Sequence, residues 1–105
     1  MSTVKVFKGR TKVLPVSLGR DVSASTFTSE IREGRNKSST KIAEWTITKP
    51  NGGQDGELIF TLDDDITAGI NVSSGYMDIK EVSGGEPTNP IETVLEVIFE
   101  DVITE

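Results

Sequence analysis

The chain has 105 residues, a formal net charge of −6 and neither cysteine nor histidine. That length suits one domain with one core. The missing residue types exclude disulfides, thiolate metal ligands and nucleophilic thiols, and they remove the commonest general base. The acidic balance speaks against phosphate binding, and so against nucleic acid as a partner. No apolar run approaches the roughly 18 residues of a membrane span, so membrane insertion is not expected. Met1–Lys5 has no apolar segment of the secretory kind. The expected setting is a cytosol, or a larger assembly built there. In that setting the sequons at Asn36 and Asn71 read as chance matches.

Short β-branched runs alternate with Gly, Asn, Asp, Ser and Pro clusters, the pattern of an all-β sandwich or barrel of about seven strands. The first run is Val4–Lys8, closed by Gly9. The second is Lys12–Leu18, with Leu14, Val16 and Leu18 on one face. Pro15 cannot donate to a ladder, so this run belongs at an edge or is bulged. The third, Ala24–Glu33, sets Phe27 and Ile31 on one face. After a polar loop, Lys41–Lys49 places Ala43, Trp45 and Ile47 opposite Glu44, Thr46 and Thr48, which makes Trp45 the core anchor.

Pro50-Asn51-Gly52-Gly53 is the strongest turn signal. Glu57–Leu62 then turns Leu58, Phe60 and Leu62 inward. Ile66–Ile70 fits one helical turn capped by an aspartate of Asp63-Asp64-Asp65. Gly75–Val82 places Met77 and Ile79 inward, and Ser83–Pro87 turns the chain. The last run, Ile91–Thr104, also fits helical spacing through Ile91, Val94, Leu95, Ile98 and Val102. Its β-branched content and Thr93 favour a strand. No repeat or linker divides the chain, so residues 1–105 are expected to form a single domain.

The residues offer little to catalysis. Lys37, Ser38 and Lys41 lie in a polar loop, where a solvated lysine is a poor base. Asp63-Asp64-Asp65 lacks the spaced ligands and distal bidentate glutamate of a calcium loop. Glu92, Glu96 and Glu100 share one face of the last strand and serve best to solubilise it. The basic residues from Arg32 to Lys41 have no aromatic among them, which suits a solvated loop or contact with an acidic neighbouring subunit. No phosphate loop, dinucleotide fingerprint or nucleophile elbow is present, and no metal or cofactor is implied.

Apolar residues are in surplus on the outer faces. Ile59 sits opposite Leu58, Phe60 and Leu62, and Val94, Ile98 and Val102 sit opposite Leu95, Val97 and Phe99. A sandwich strand has one wet face, so doubly apolar strands need extra cover. Loops or a bulge can supply it. So can a second subunit, which makes Ile59, Val94, Ile98 and Val102 the candidate assembly interface.

The order of signals resembles a family of small Ig-like domains in tailed-bacteriophage tail and baseplate proteins. The resemblance runs through Phe7-Lys8-Gly9-Arg10-Thr11, then Val13–Leu18 with its Pro15-Val16 step, then Phe27–Arg32. It continues through Gly56–Leu62, Asp65-Ile66-Thr67, Gly75–Ile79 and the closing Asp101-Val102-Ile103-Thr104. It implies an Ig-like antiparallel β-sandwich with no catalytic residues. By the same resemblance the chain would be a virion structural or adaptor protein, a homo-oligomer touching other virion proteins or copies of itself. A capsid decoration protein is the nearest alternative. A carbohydrate-binding module is another, for which Tyr76 is the one aromatic expected to face outward.

Overall fold

Leu58, Phe60 and Leu62 are fully buried, while Glu57, Ile59 and Thr61 between them are partly exposed, so β7 (Glu57–Leu62) displays two distinct faces. The cause is the two-residue period of an extended chain. In a computed structural model describing residues 3–91 and 94–103, β7 is the centre of a three-stranded sheet between β2 (Lys12–Ser17) and β6 (Thr46–Thr48). A five-stranded sheet runs in the order β1 (Thr3–Phe7), β11 (Leu95–Glu100), β8 (Ser74–Met77), β4 (Glu30–Arg32) and β5 (Lys41–Glu44). The expectations resting on Glu92, Thr93 and Thr104 lie outside the described residues.

The inner walls of the two sheets form one apolar cluster. Val4, Val6, Ile31, Met77, Val97 and Phe99 come from the larger sheet and Leu58, Phe60 and Leu62 from the smaller. Trp45 is the predicted anchor. It is buried and meets Phe60 edge to face, with ring centroids 6.0 Å apart and planes at 62°. Such a pair contributes about 0.5–1.5 kcal/mol beyond the area it buries. The Trp45 indole N–H finds no partner among the described residues.

The seven runs read from the sequence appear as eleven strands among the described residues, and the breaks have local causes. The run Lys41–Lys49 changes sheets at Trp45: β5 pairs with β4, and β6 pairs with β7. The third run divides into β3 (Thr26–Thr28) and β4, and the sixth into β8 and β9 (Lys80–Ser83). These four pieces keep one register, from Thr26↔Val82 to Arg32↔Tyr76, so they are a single ladder interrupted in the middle. At the interruption the Ser29 hydroxyl donates to the Asp78 carbonyl (2.6 Å) and the Trp45 N–H donates to the Ser29 carbonyl (2.9 Å). The Ser29 hydroxyl takes up a carbonyl that a regular ladder would offer to a backbone N–H, while the Trp45 bond carries the β4–β5 register one position further.

β10 (Glu86–Thr88) is an added strand that the sequence reading placed partly in a turn. It folds back on β9 through Gly84 and Gly85, with φ of +61° and +83°. A two-residue hairpin turn of this hand needs positive φ at both positions, which glycine adopts without strain. Pro15 lies on β2, an edge strand, as expected of a residue with no N–H. The last run is a strand, as read, but only over Leu95–Glu100.

The helical turn is α1 (Asp64–Ala68), beginning two residues earlier than expected. Asp63 occupies the N-cap position, but its side chain makes no capping bond; Asp64 and Asp65 instead put charge in the first turn, where the helix dipole favours it. Thr67 is fully buried and donates to the Arg10 carbonyl (2.8 Å), which fixes α1 against the β1–β2 turn.

Every pairing is antiparallel except that of β1 with β11. β2, β7 and β6 form one wall, and β11, β8 and β4 the other, with β5 added beside β4. This is the strand order of an immunoglobulin-like sandwich, here with the first strand beside the last.

One glycine is under a tight demand. Gly56 has φ of +79°, and a Cβ there would lie 2.5 Å from the Arg20 carbonyl oxygen and 2.8 Å from its nitrogen. Gly56→Ala is therefore expected to cost about 2–3 kcal/mol, from the left-handed backbone and the backbone clash together. Urea denaturation measures it, and a loss below about 1 kcal/mol would mean the Gly56–Arg20 approach is looser than described.

Candidate protein-contact surfaces

The smaller sheet's outer face is set by register. Val13, Thr61 and Thr46 line up across β2, β7 and β6, and Pro15, Ile59 and Thr48 line up in the next row. Ile59 therefore stands at the middle of this face, half-buried by its neighbours. The larger sheet's outer face carries Ile98 at the centre of β11, between Lys5 of β1 and Ser74 of β8. Glu96 and Glu100 flank Ile98 on the same face, and Glu100 pairs with Lys5 at 3.6 Å. Ile59 and Ile98 thus look out from opposite sides of the sandwich.

The other two predicted contact residues lie at the two ends of β11. Val94 lines a cleft of about 130 Å³ with Arg32, Arg35, Lys37 and Tyr76. Val102 lines a hollow with Phe7, Arg10 and Ile103, where the chain leaves the sheet. The structure does not gather Ile59, Val94, Ile98 and Val102 into one patch. Sequence alternation gave each residue's side of its strand, but not which strands share a sheet.

In the cleft, Arg35 lies over the Tyr76 ring, 4.7 Å from its centroid. Such a cation–π contact covers the ring face that a sugar would stack on. Arg32 donates to the Ser39 carbonyl and to Glu30, and Lys41 lies within 3.8 Å of Glu30 and 3.4 Å of Glu44. Much of the basic run between Arg32 and Lys41 is thereby neutralised within the chain. Tyr76 is not the one outward aromatic: Phe7, at the end of β1, is 43% exposed. Ile66, Ile103 and, at 52%, Val13 are further exposed apolar residues outside the predicted set. The two-residue period that sets Leu14, Val16 and Leu18 on one face is the signal that could have found Val13.

The buried polar residues serve the fold. Glu81 is 2% exposed in β9, and Arg20 donates to both of its oxygens, at 3.0 and 2.5 Å. The Ser25 hydroxyl donates to it at 2.6 Å. The hydrogen bonds from Arg20, then that from Ser25, hold the Glu81 carboxyl below the usual glutamate range against the opposing effect of burial. The same bonds raise Arg20. A carboxylate held ionised this way is neither a proton donor nor a general base at neutral pH. Backbone and side-chain donors of Ser23 lower Asp21, and Asn51 followed by the Glu57 N–H lowers Asp55. Among the described residues no group of three or more acids is placed to hold a metal ion, and the three aspartates at α1 are its N-cap and first turn.

No known protein family and no curated protein matches the chain. Solved structures similar to it include a voltage-gated sodium channel beta subunit studied for multimeric cell-adhesive interactions. It is 11% identical, with 96% of this chain and 91% of that chain covered and a TM-score of 0.42. Another is the extracellular domain of the voltage-gated sodium channel beta4 subunit, solved as parallel homodimers. It is 11% identical over 96% of this chain and 90% of that one, with a TM-score of 0.40.

Proposed function

We propose that this chain is a non-enzymatic structural or adaptor protein of a phage virion, in the tail, baseplate or fibre attachment, working by protein–protein contact within a symmetric assembly. The observation that carries the reading is the pair of apolar side chains, Ile59 and Ile98, standing on the outer faces of both sheets where the sandwich's own core cannot cover them. A one-domain chain that works by contact has its surface as its main asset, and symmetry multiplies weak patches into a stable association.

Ile98→Asp tests the reading in assembled particles. The new carboxylate sits on an outer face beside Lys5 but between Glu96 and Glu100, so the fold tolerates it at a cost of about 1–2 kcal/mol. Incorporation of the variant into particles is expected to fall while its circular dichroism spectrum stays unchanged; unaltered incorporation counts against β11 as a contact surface. Antibody labelling of particles in the electron microscope decides location. Label on the tail supports the reading, label on the head shell favours capsid decoration, and absence from particles ends the virion assignment.

A further inference from the structure

The two outer faces differ sharply in charge. On the larger sheet the exposed side of the ladder carries Lys5, Glu96, Glu100, Arg32 and Glu30. On the smaller sheet the two rows Val13, Thr61, Thr46 and Pro15, Ile59, Thr48 contain no charge, in a chain of which 27% is charged. Glu57 comes one row further on, opposite Ser17.

We infer that the β2-β7-β6 face is a two-fold contact between copies of this chain, with β7 at its centre. The inference rests on the reading that the chain works by assembly, and it names the partner and the surface. Two copies carry −6 each and repel. A contact through the larger sheet must match or strip each of its charges, which is costly when pairing is imperfect. On the uncharged face two copies meet with no charge to neutralise, and a highly charged partner finds no ion pair there. A two-fold contact uses one surface on both partners, so the surface must suit itself; rows of β-branched and apolar side chains satisfy this.

Strand spacing of ~4.8 Å and a rise of ~3.4 Å per residue give a face of roughly 15 by 20 Å, well below the ~800 Å² per partner of a stable free complex. The isolated pair is therefore weak and gains strength by repetition in an assembly.

Sedimentation velocity on the purified chain, from about 10 μM to about 1 mM, tests this. Wild type is expected to form a reversible dimer over that range. Val13→Glu and Thr46→Lys, at exposed positions on the two edge strands, are each expected to weaken it at least tenfold with melting temperature little changed. Wild type that stays monomeric throughout overturns the inference, as does a Val13→Glu chain that dimerises like wild type. If that variant still associates and Ile98→Asp does not, copies meet through β11 instead. The inference then falls, while the assembly reading stands.

Discussion

Phe60→Ala is expected to lower stability by about 3–5 kcal/mol, the cost of removing a fully buried aromatic whose site cannot collapse. Phe60 has no exposure, lies between Leu14 and Ile47 in its sheet, and takes Trp45 edge-on from the joint where the chain passes between sheets. For a chain near 100 residues each kcal/mol moves the melting temperature by about 4–8 °C, so the drop is roughly 12–40 °C. That is a large share of the ~5–15 kcal/mol a domain of this kind possesses. Thr61→Ala, one residue on and facing outward, is the control and should cost about 0.5 kcal/mol or less. Calorimetry on both variants gives the comparison, and similar melting temperatures would refute the two-faced reading of β7.

Glu81→Ala is expected to cost about 3 kcal/mol at pH 7, because it leaves the buried Ser25 hydroxyl without its acceptor and Arg20 without its partner. Arg20 is half exposed, so solvent screens the charge attraction and the hydrogen bonds carry most of the effect. The pH dependence has a definite sign. The folded-state pKa of Glu81 lies below its ordinary 4.5. Its contribution is therefore complete above about pH 4.5 and is lost as pH falls through the lowered value. Asp21 and Asp55 are shifted the same way and add to the same acid limb. Urea midpoints between pH 7 and pH 3 should show the gap between wild type and Glu81→Ala narrowing toward the acid end. A gap constant across that range would mean Glu81 is not ionised and paired as described.

Much of the architecture was legible in the residues. The alternation in Glu57–Leu62, Trp45 as anchor, Pro15 at an edge and the glycine turn at 84–85 each follow from one local rule. The breaks were not legible, because each depends on a bond to a distant residue: Ser29 to Asp78, or the Trp45 N–H to Ser29. The Arg20–Glu81 pair is 61 residues apart in sequence, and no spacing rule reaches that far. The contact surfaces fall between these cases. Alternation placed Ile59 and Thr46 outward one by one, but only the register of β2, β7 and β6 puts them side by side with Val13.

The parallel pairing of β1 with β11 has a mechanical consequence. The chain enters at Thr3 at one end of that ladder and leaves past Glu100 at the other, with Phe7 opposite Glu100. Tension applied through the two termini runs along the strands, so every rung from Thr3↔Glu96 to Phe7↔Glu100 is loaded in shear at once and none peels first. Handles at the two ends also point in opposite directions. Such a bead can be strung in line with its neighbours and resist being drawn out.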